Sequence, residues 1–371
     1  MAHAIKFNTT QDNGFFLTLR QRVRDDLAAR GKTRYADGFM LFKATVFVLL
    51  LASSYAAIFI NPIQSVWSQL GFAMLYGLAA LLLVTNLAHD AVHQALTPSK
   101  TVNRWVQIIT FGFLGVDGTL WQLRHNQAHH VIPNVEGGDS AVTRNPLLRL
   151  SPHQPWERKH AWQHLYAPLA YSIIVLHSAW RQDFLYITNR KRLTTLGAVD
   201  YGWQDYAVFA LTKVIYITTA LVLPFMLLDL PWWQIMIGYM SMSMVVSAAF
   251  VYLLVGTHFC EEAEFPEADQ DGVLPYNWAY HAMVTSADWS PYSRVAQFLI
   301  GGTNAHATHH LFPRICHTHY RSMAPIIEAT ANEFDVPYNK LTLPEMLRSH
   351  FRFLREMGQR PAEPVRSVQA T

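Results

Sequence analysis

Eight of the chain's 18 histidines fall into three short clusters. They are His89-Asp90-Ala91-Val92-His93, His125-Asn126-Gln127-Ala128-His129-His130 and His306-Ala307-Thr308-His309-His310. Imidazole is a transition-metal ligand, and helical residues three or four apart share a face. On that spacing His89 and His93 point at one site, as do His125 with His129, and His306 with His309 and His310. Adjacent rings such as His129 and His130 diverge by about 100° on a helix and suit two neighbouring metals. Eight imidazoles exceed the needs of one tetrahedral zinc. The HExxH pattern is absent, and no thiolate accompanies the clusters, which argues against iron–sulfur or copper(I) sites. Two irons sharing eight or nine imidazoles is the count that fits. The ninth candidate is His258. Asp90, Asp139, Glu261 and Glu262 are the carboxylates expected to orient the rings, with His281 in a similar supporting place. His153, His160, His164, His177, His317, His319 and His350 are read as ordinary capping or core residues.

The elements that must carry these clusters follow from the distribution of charge. No Asp, Glu, Lys or Arg occurs from Ala44 to Ala88, from Val214 to Leu228, or from Leu230 to Cys260. A bilayer core of about 30 Å asks for about 20 such residues per helix. The first run is twice that length and is broken at Asn61-Pro62, so it predicts spans near 42–60 and 66–88. The other two runs, parted by Asp229-Leu230-Pro231, predict spans near 213–229 and 232–256. Paired runs of this kind are hard to fit into a water-soluble core. All 29 Lys and Arg lie before, between or after the two sets of charge-free runs, and the turns Asn61–Ser65 and Asp229–Pro231 carry none. The positive-inside rule then predicts that both termini and the middle segment are cytoplasmic. With four spans, all three clusters emerge on one side, and His258 lies at the same depth as His89.

The expected architecture is an all-α integral membrane protein. Four transmembrane helices form two hairpins beneath a cytosolic helical cap that holds a histidine-rich di-iron site. Residues 1–40 read as a polar N-terminal cytosolic arm with a short amphipathic helix around Phe15–Arg30, and 42–88 as the first hairpin. Residues 89–212 form a cytosolic segment with the first two clusters, 213–256 the second hairpin, and 257–360 a cap with the third cluster. Residues 361–371 read as a disordered tail. Leu165–Trp180 is too short to span and predicts a helix lying in the membrane interface. The first 40 residues hold no apolar stretch of the secretory kind, and Cys260 and Cys316 form no CxxC, in keeping with a reducing compartment. The net charge of +3 is not arranged as a nucleic-acid surface. A metal transporter is disfavoured because the span interiors lack ionisable residues.

The three clusters at these spacings around two hairpins resemble the membrane fatty-acid desaturases, most closely the acyl-CoA or linoleoyl-CoA desaturase-like branch. The resemblance covers nearly the whole chain. It includes Asn134 and Asp139 after the second cluster, Ser151-Pro152-His153-Gln154, and His309-His310-Leu311-Phe312-Pro313. It continues through Ile315-Cys316-His317 and Tyr320, and from Phe334 to Tyr338. It implies a di-iron centre that uses dioxygen to remove two hydrogens from unactivated C–H bonds, with His89, His93, His125, His129, His130, His258, His306, His309 and His310 as ligands. Asn134 joins the residues expected to support them.

The chain departs from that branch at the third cluster, where a pattern like NFQIEHH is usual. Here it reads Asn304-Ala305-His306-Ala307-Thr308-His309-His310; Val92 and Gln94 likewise replace the common Asn and Gly. These changes leave open a specialised substrate, amino-acid-derived such as dihydrorhizobitoxine or carrier-bound, in place of a fatty acyl or acyl-lipid chain. A hydroxylase on the same scaffold is also open, because the two reactions diverge only after the first hydrogen is removed. Trp121, Trp278, Trp289 and Phe298 are expected to line the substrate channel. No His-Pro-Gly-Gly haem motif and no GxGxxG occurs, so electrons are expected from a separate ferredoxin or small cytochrome docked on cap Arg and Lys.

Overall fold

The computed structural model describes residues 5–10, 13–139, 142, 145, 147–189 and 200–361. Apart from Pro361, the tail expected at 361–371 lies outside them. Helix α1 (Phe15–Ala29) is the expected amphipathic helix, with Phe15, Leu19, Val23 and Leu27 buried along one stripe. Helix α2 (Gly38–Ile60) is capped by Asp37, whose carboxylate accepts from the amides of Phe39 and Met40, and ends where Asn61 turns left-handed. Ser65 caps α3, which runs from Val66 to Val92. Helices α2 and α3 pack against each other, and α3 also packs along the last of the long apolar helices.

After α3 comes α4 (Lys100–Gly112), whose polarity is reversed. Asn103, Gln107 and Thr110 are buried while Val102, Trp105 and Ile109 are exposed. Helix α5 (Gly118–Arg124) leads directly into the second histidine cluster. The Leu165–Trp180 region forms α6 (Gln163–Tyr171) and α7 (Ile174–His177). A π turn at Ser178–Gln182 then leads to α8 (Asp183–Thr188). Helices α9 (Trp203–Leu227) and α10 (Trp232–Thr257) complete four helices long and apolar enough to cross a membrane. Each is 23–27 residues long, about 35–40 Å at 1.5 Å per residue. Their outer faces are apolar and uncovered: Phe42, Leu49, Ile60, Val214, Met226 and Ile237 are all exposed. Their inner faces share one core that includes Phe47, Tyr76, Leu83, Tyr216, Tyr239 and Val246.

The rest of the chain packs beside the histidine-bearing ends of these helices. It comprises α11 (Trp278–Val284), α12 (Arg294–Ile300), α13 (His306–Leu311), α14 (Tyr320–Glu333) and α15 (Leu343–Met357). A strand pair departs from the all-helical expectation. Strand β1 (Ala287–Trp289) runs parallel to β2 (Asn339–Leu341), with Ala287 opposite Asn339. The third long helix also starts ten residues before the expected boundary at 213. The Lys213 side chain, read as an edge, is buried and fully bonded inside the helix packing.

Candidate metal centre

The nine expected histidines converge. His89, His93, His125 and His309 each offer a ring nitrogen within 4.8 Å of the others'. His129, His258, His306 and His310 form a second such set. His130 stands between them, its ring 4.5 Å from those of His93 and His309 and 4.4 Å from that of His310.

Local winding decides which ring joins which set. The second cluster is a π turn, His125–His129, in which the His130 amide donates to the His125 carbonyl at 2.9 Å. A π turn bonds i to i+5. That places His130 above His125, with Nε2 atoms 2.9 Å apart. His129 is thereby turned to the other set, its ring 4.6 Å from His258 and 5.0 Å from His310. The expected pairing of His125 with His129 on one site is thus corrected, because it assumed regular α-helical winding. In α13 the i, i+4 pair His306 and His310 stays together, but His309, expected to share their site, is turned by its i+3 position to the first set, 4.4 Å from His89. A second π turn, Val84–Ala88, immediately precedes His89.

For four of the rings, a hydrogen bond on the far side fixes the tautomer. A backbone carbonyl can only accept, so a ring nitrogen bonded to one must carry the proton. His258 Nδ1 donates to Thr285 O at 2.8 Å, and His306 Nδ1 to Thr303 O at 3.2 Å. His129 Nδ1 donates to the Asp139 carboxylate at 3.1 Å. Tyr320 spends its hydroxyl proton on Phe312 O and so accepts from His309 Nδ1. In each case Nε2 is left as a bare lone pair facing inward. The Nε2 atoms of His258 and His306 are 2.8 Å apart, and His309 Nε2 is buried with no hydrogen-bond partner. Burial holds His306, His309 and His310 well below the usual imidazole range and lowers His258 to about 3. These rings are neutral at pH 7. Neutral lone pairs at such a separation repel one another unless a cation lies among them. The donor set fits two such cations, and Nε2 separations of 2.8–3.3 Å suit neighbouring positions around a metal with bonds of about 2.1 Å.

Two of the expected supporting residues, Asp139 and Asn134, lie beside the rings. Asp139 is buried and also accepts the Asn134 amide. Asn134, at φ 60°, donates its side-chain amide to the carbonyls of His258, Glu264 and Thr285. It thus ties the second cluster's loop to the segment holding His258. Others are placed differently. Glu262 bonds Ser349, and Glu261 faces Arg352 across 3.6 Å, so neither carboxylate is bonded to one of the nine rings. His281 donates to, or accepts near, none of them; its Nε2 lies 2.9 Å from Pro133 O.

Asp90 bonds His317 Nδ1 at 2.8 Å and the Cys316 thiol at 3.0 Å. Lys43 Nζ lies 2.7 Å from His317 Nε2. Asp90, Cys316 and His317 are also close enough to share an ion. Here, however, donors face acceptors and Lys43 already supplies the positive charge, so the trio closes as hydrogen bonds. His350 bonds Phe259 O and Tyr171, a structural role in line with its expected one.

Of the aromatic candidates, Trp121 stacks on His125 with centroids 4.1 Å apart. Trp278 meets Phe16 edge-on, Trp289 donates to Leu253 O, and Phe298 packs on Phe47. None of these three contacts involves the nine histidines. Sequence reasoning did not single out Asp288 and assigned no role to Tyr338. Asp288 is fully buried, accepts the Ala307 amide at the start of α13, and is held by the Tyr338 hydroxyl at 2.7 Å. Burial pushes its carboxyl up to about 7. The signal available was Tyr338 within the run shared with the desaturases.

Four helices long and apolar enough to cross a membrane, with convergent histidines at one end that could hold metal, mark the class of a membrane protein with a candidate metal centre. Residues 65–342 match the family model described as fatty acid desaturase, and the chain belongs to that family of oxidoreductases. It is 30% identical over 366 residues to the sn-1 linoleoyl-lipid 6-desaturase of Synechocystis, covering 96% of this chain and 99% of that one. It is 28% identical to the acyl-lipid (8-3)-desaturase of Physcomitrium patens, over 95% of this chain and 74% of the relative. The acyl-lipid (8-3)-desaturase of Mortierella alpina is 29% identical over 86% and 72% respectively.

Proposed function

We propose that this protein is an oxygen-dependent desaturase that introduces a carbon–carbon double bond into an acyl-lipid chain, with one iron held by each histidine set. The family membership and the names of its relatives support the reaction. The observation that carries the metal assignment is the convergence of bare Nε2 lone pairs on buried, neutral rings. His89, His93, His125 and His309 would hold one iron, and His129, His258, His306 and His310 the other, with His130 able to complete either. Iron bound there would activate dioxygen, the oxidant, toward an unactivated C–H bond. The electrons come from a separate ferredoxin or small cytochrome.

The protein's own part is positional. Thr285, Thr303, Asp139 and Tyr320 take the Nδ1 protons and so aim the lone pairs. Asn134 and Asp139 keep the second cluster in register with His258. Trp121 walls the chamber beside His125 and is the aromatic residue best placed to meet the acyl chain. The four spans form two hairpins, with the termini, residues 89–212 and residues 257–360 on the cytoplasmic side. The charge-poor turns at Asn61–Ser65 and Asp229–Pro231 support this arrangement.

Expression in a host with a suitable electron carrier, followed by lipid analysis, tests the reading. Lipids two hydrogens lighter at one acyl position, and about two irons per purified chain, are expected. A product carrying an added oxygen identifies a hydroxylase instead. Unchanged lipids with a single zinc per chain remove the proposal. An impermeant label on a cysteine placed at Pro62 should react from outside the cell; protection there, with labelling only after lysis, breaks the topology.

A further inference from the structure

Lys213 sits ten residues inside α9, on a helix otherwise apolar enough to cross a membrane, and is buried. Its ammonium has three donors and three acceptors: Gly115 O at 2.6 Å, Ala179 O at 2.7 Å and Asp183 Oδ2 at 2.7 Å. The rings of Phe184 and Phe209 flank it at 5.5 and 5.1 Å. The same Asp183 oxygen accepts the amide of Asp117 at 2.8 Å. Asp117 in turn caps α5, its Oδ1 accepting from Thr119 and Leu120 at 2.8 and 2.9 Å. Helix α5 ends in the π turn that delivers His125 and His129, one to each histidine set. A second contact seats the same loop on α9. Gly115 has φ 72°, and a Cβ there would lie 2.5 Å from the Tyr216 ring, one helical turn beyond Lys213.

We propose that the Lys213–Asp183 pair is a positioning device for the metal centre: it clamps the start of α5 to α9 and α8, and so sets where the rings of His125 and His129 stand. This rests on the two-iron reading of those sets. Helix α5 has only seven residues; Gln107 and Gln122 tie it to its neighbours and Leu120 is buried, while Asp117 and the ion pair fix its start against α8 and α9. Loss of the clamp leaves the Asp117 amide and the carbonyls of Gly115 and Ala179 without partners, and lets α5 tilt. Because α5 supplies a ring to both sets, a tilt disturbs both metals at once.

The test separates position from stability. Replacing a buried ion pair by apolar side chains is commonly neutral or stabilising. The double variant Lys213→Met/Asp183→Leu should therefore insert and melt much like wild type if the pair served stability alone. Turnover is measured per bound iron pair in detergent-purified protein, alongside the Mössbauer spectrum. A misplacement of about 1 Å costs about 100-fold, so a loss of 10-fold or more with altered doublets is expected. Asp183→Asn leaves the Lys213 charge unpaired and should melt lower, but it keeps an oxygen for both Lys213 and Asp117, so its turnover per bound iron pair should stay within about threefold of wild type. A double variant with wild-type turnover per iron pair and wild-type doublets overturns the proposal. So does an Asp183→Asn variant as impaired as the double. Wild-type protein without two irons instead refutes the metal reading itself, a result visible before any variant is made.

Discussion

His258 lies outside the three clusters, and the geometry gives it a full share in the second set. Its Nε2 is 2.8 Å from that of His306 and 3.1 Å from that of His310, and its Nδ1 proton is held by Thr285 O. In His258→Ala that set keeps three imidazoles. Metal binding by a four-ligand protein site is worth about 10–16 kcal/mol, or about 3 kcal/mol per ligand. The second iron should therefore bind about 100-fold more weakly, since each 1.4 kcal/mol is about tenfold. Elemental analysis after gel filtration should find about one iron per chain in place of two. Because bound metal at free concentration M stabilises the folded state by RT ln(1 + M/Kd), a weaker second site gives less to lose, and chelation should lower Tm less in the variant than in wild type. That comparison cancels the cost of the cavity the alanine leaves, which is common to both metal states. A variant that keeps two irons, full turnover and the whole chelation-sensitive shift would refute the assignment of His258 and the tautomer argument behind it.

Three other outcomes follow from the same geometry. Asp139→Asn removes the charge behind His129 Nδ1 and should weaken iron retention or turnover by about 10–100-fold, measured by iron content against competing chelator. Unaltered retention means that the carboxylate does not tune the ring. His306→Gln, the residue usual in the resembling branch, should lose less than about tenfold in turnover, whereas His306→Ala loses about 100-fold; equal losses contradict a ligand role at that position. Gly301→Ala must adopt φ 66° with its Cβ 2.1 Å from Thr85 O, on the π turn that precedes His89. The left-handed backbone alone costs about 1–2 kcal/mol, and the clash adds to it, so Tm should fall by several degrees. An unchanged Tm shows that the two segments separate freely.

Much of the arrangement was legible in the chain because membranes impose simple rules. Charge-free runs marked the four long helices, and the parity of the spans put the histidine clusters at one end. Boundaries failed where a charge is neutralised internally. Lys43 and Lys213 looked like edges, yet each is buried against partners remote in sequence, His317 and Gln297 for one, Asp183 for the other. Eight of the nine converging histidines stood out by their spacing and His258 by its depth at a span end, but their partition could not be read. Whether His125 joins His129 or His130 depends on one extra residue in a helical turn, which residue type does not announce. The carboxylates were guessed by proximity in sequence. Asp139 lies against His129, whereas Asp90, Glu261 and Glu262 bond other partners, because a neighbour along the chain is not a neighbour in space. The reversed α4, with amides inside and Trp105 outside, is invisible to a search for charge-free stretches.

The π turn at His125–His129 makes the spacing of the second cluster a matter of counting rather than of composition. Remove one residue between His125 and His130, and the backbone can relax to ordinary α winding with no other change in sequence. His125 and the shifted histidines would then stack along a single stripe. One basin would be crowded with rings and the other left a ligand short. The division of these rings into two sets is therefore stored in a frame of five residues and is sensitive to a change in its length.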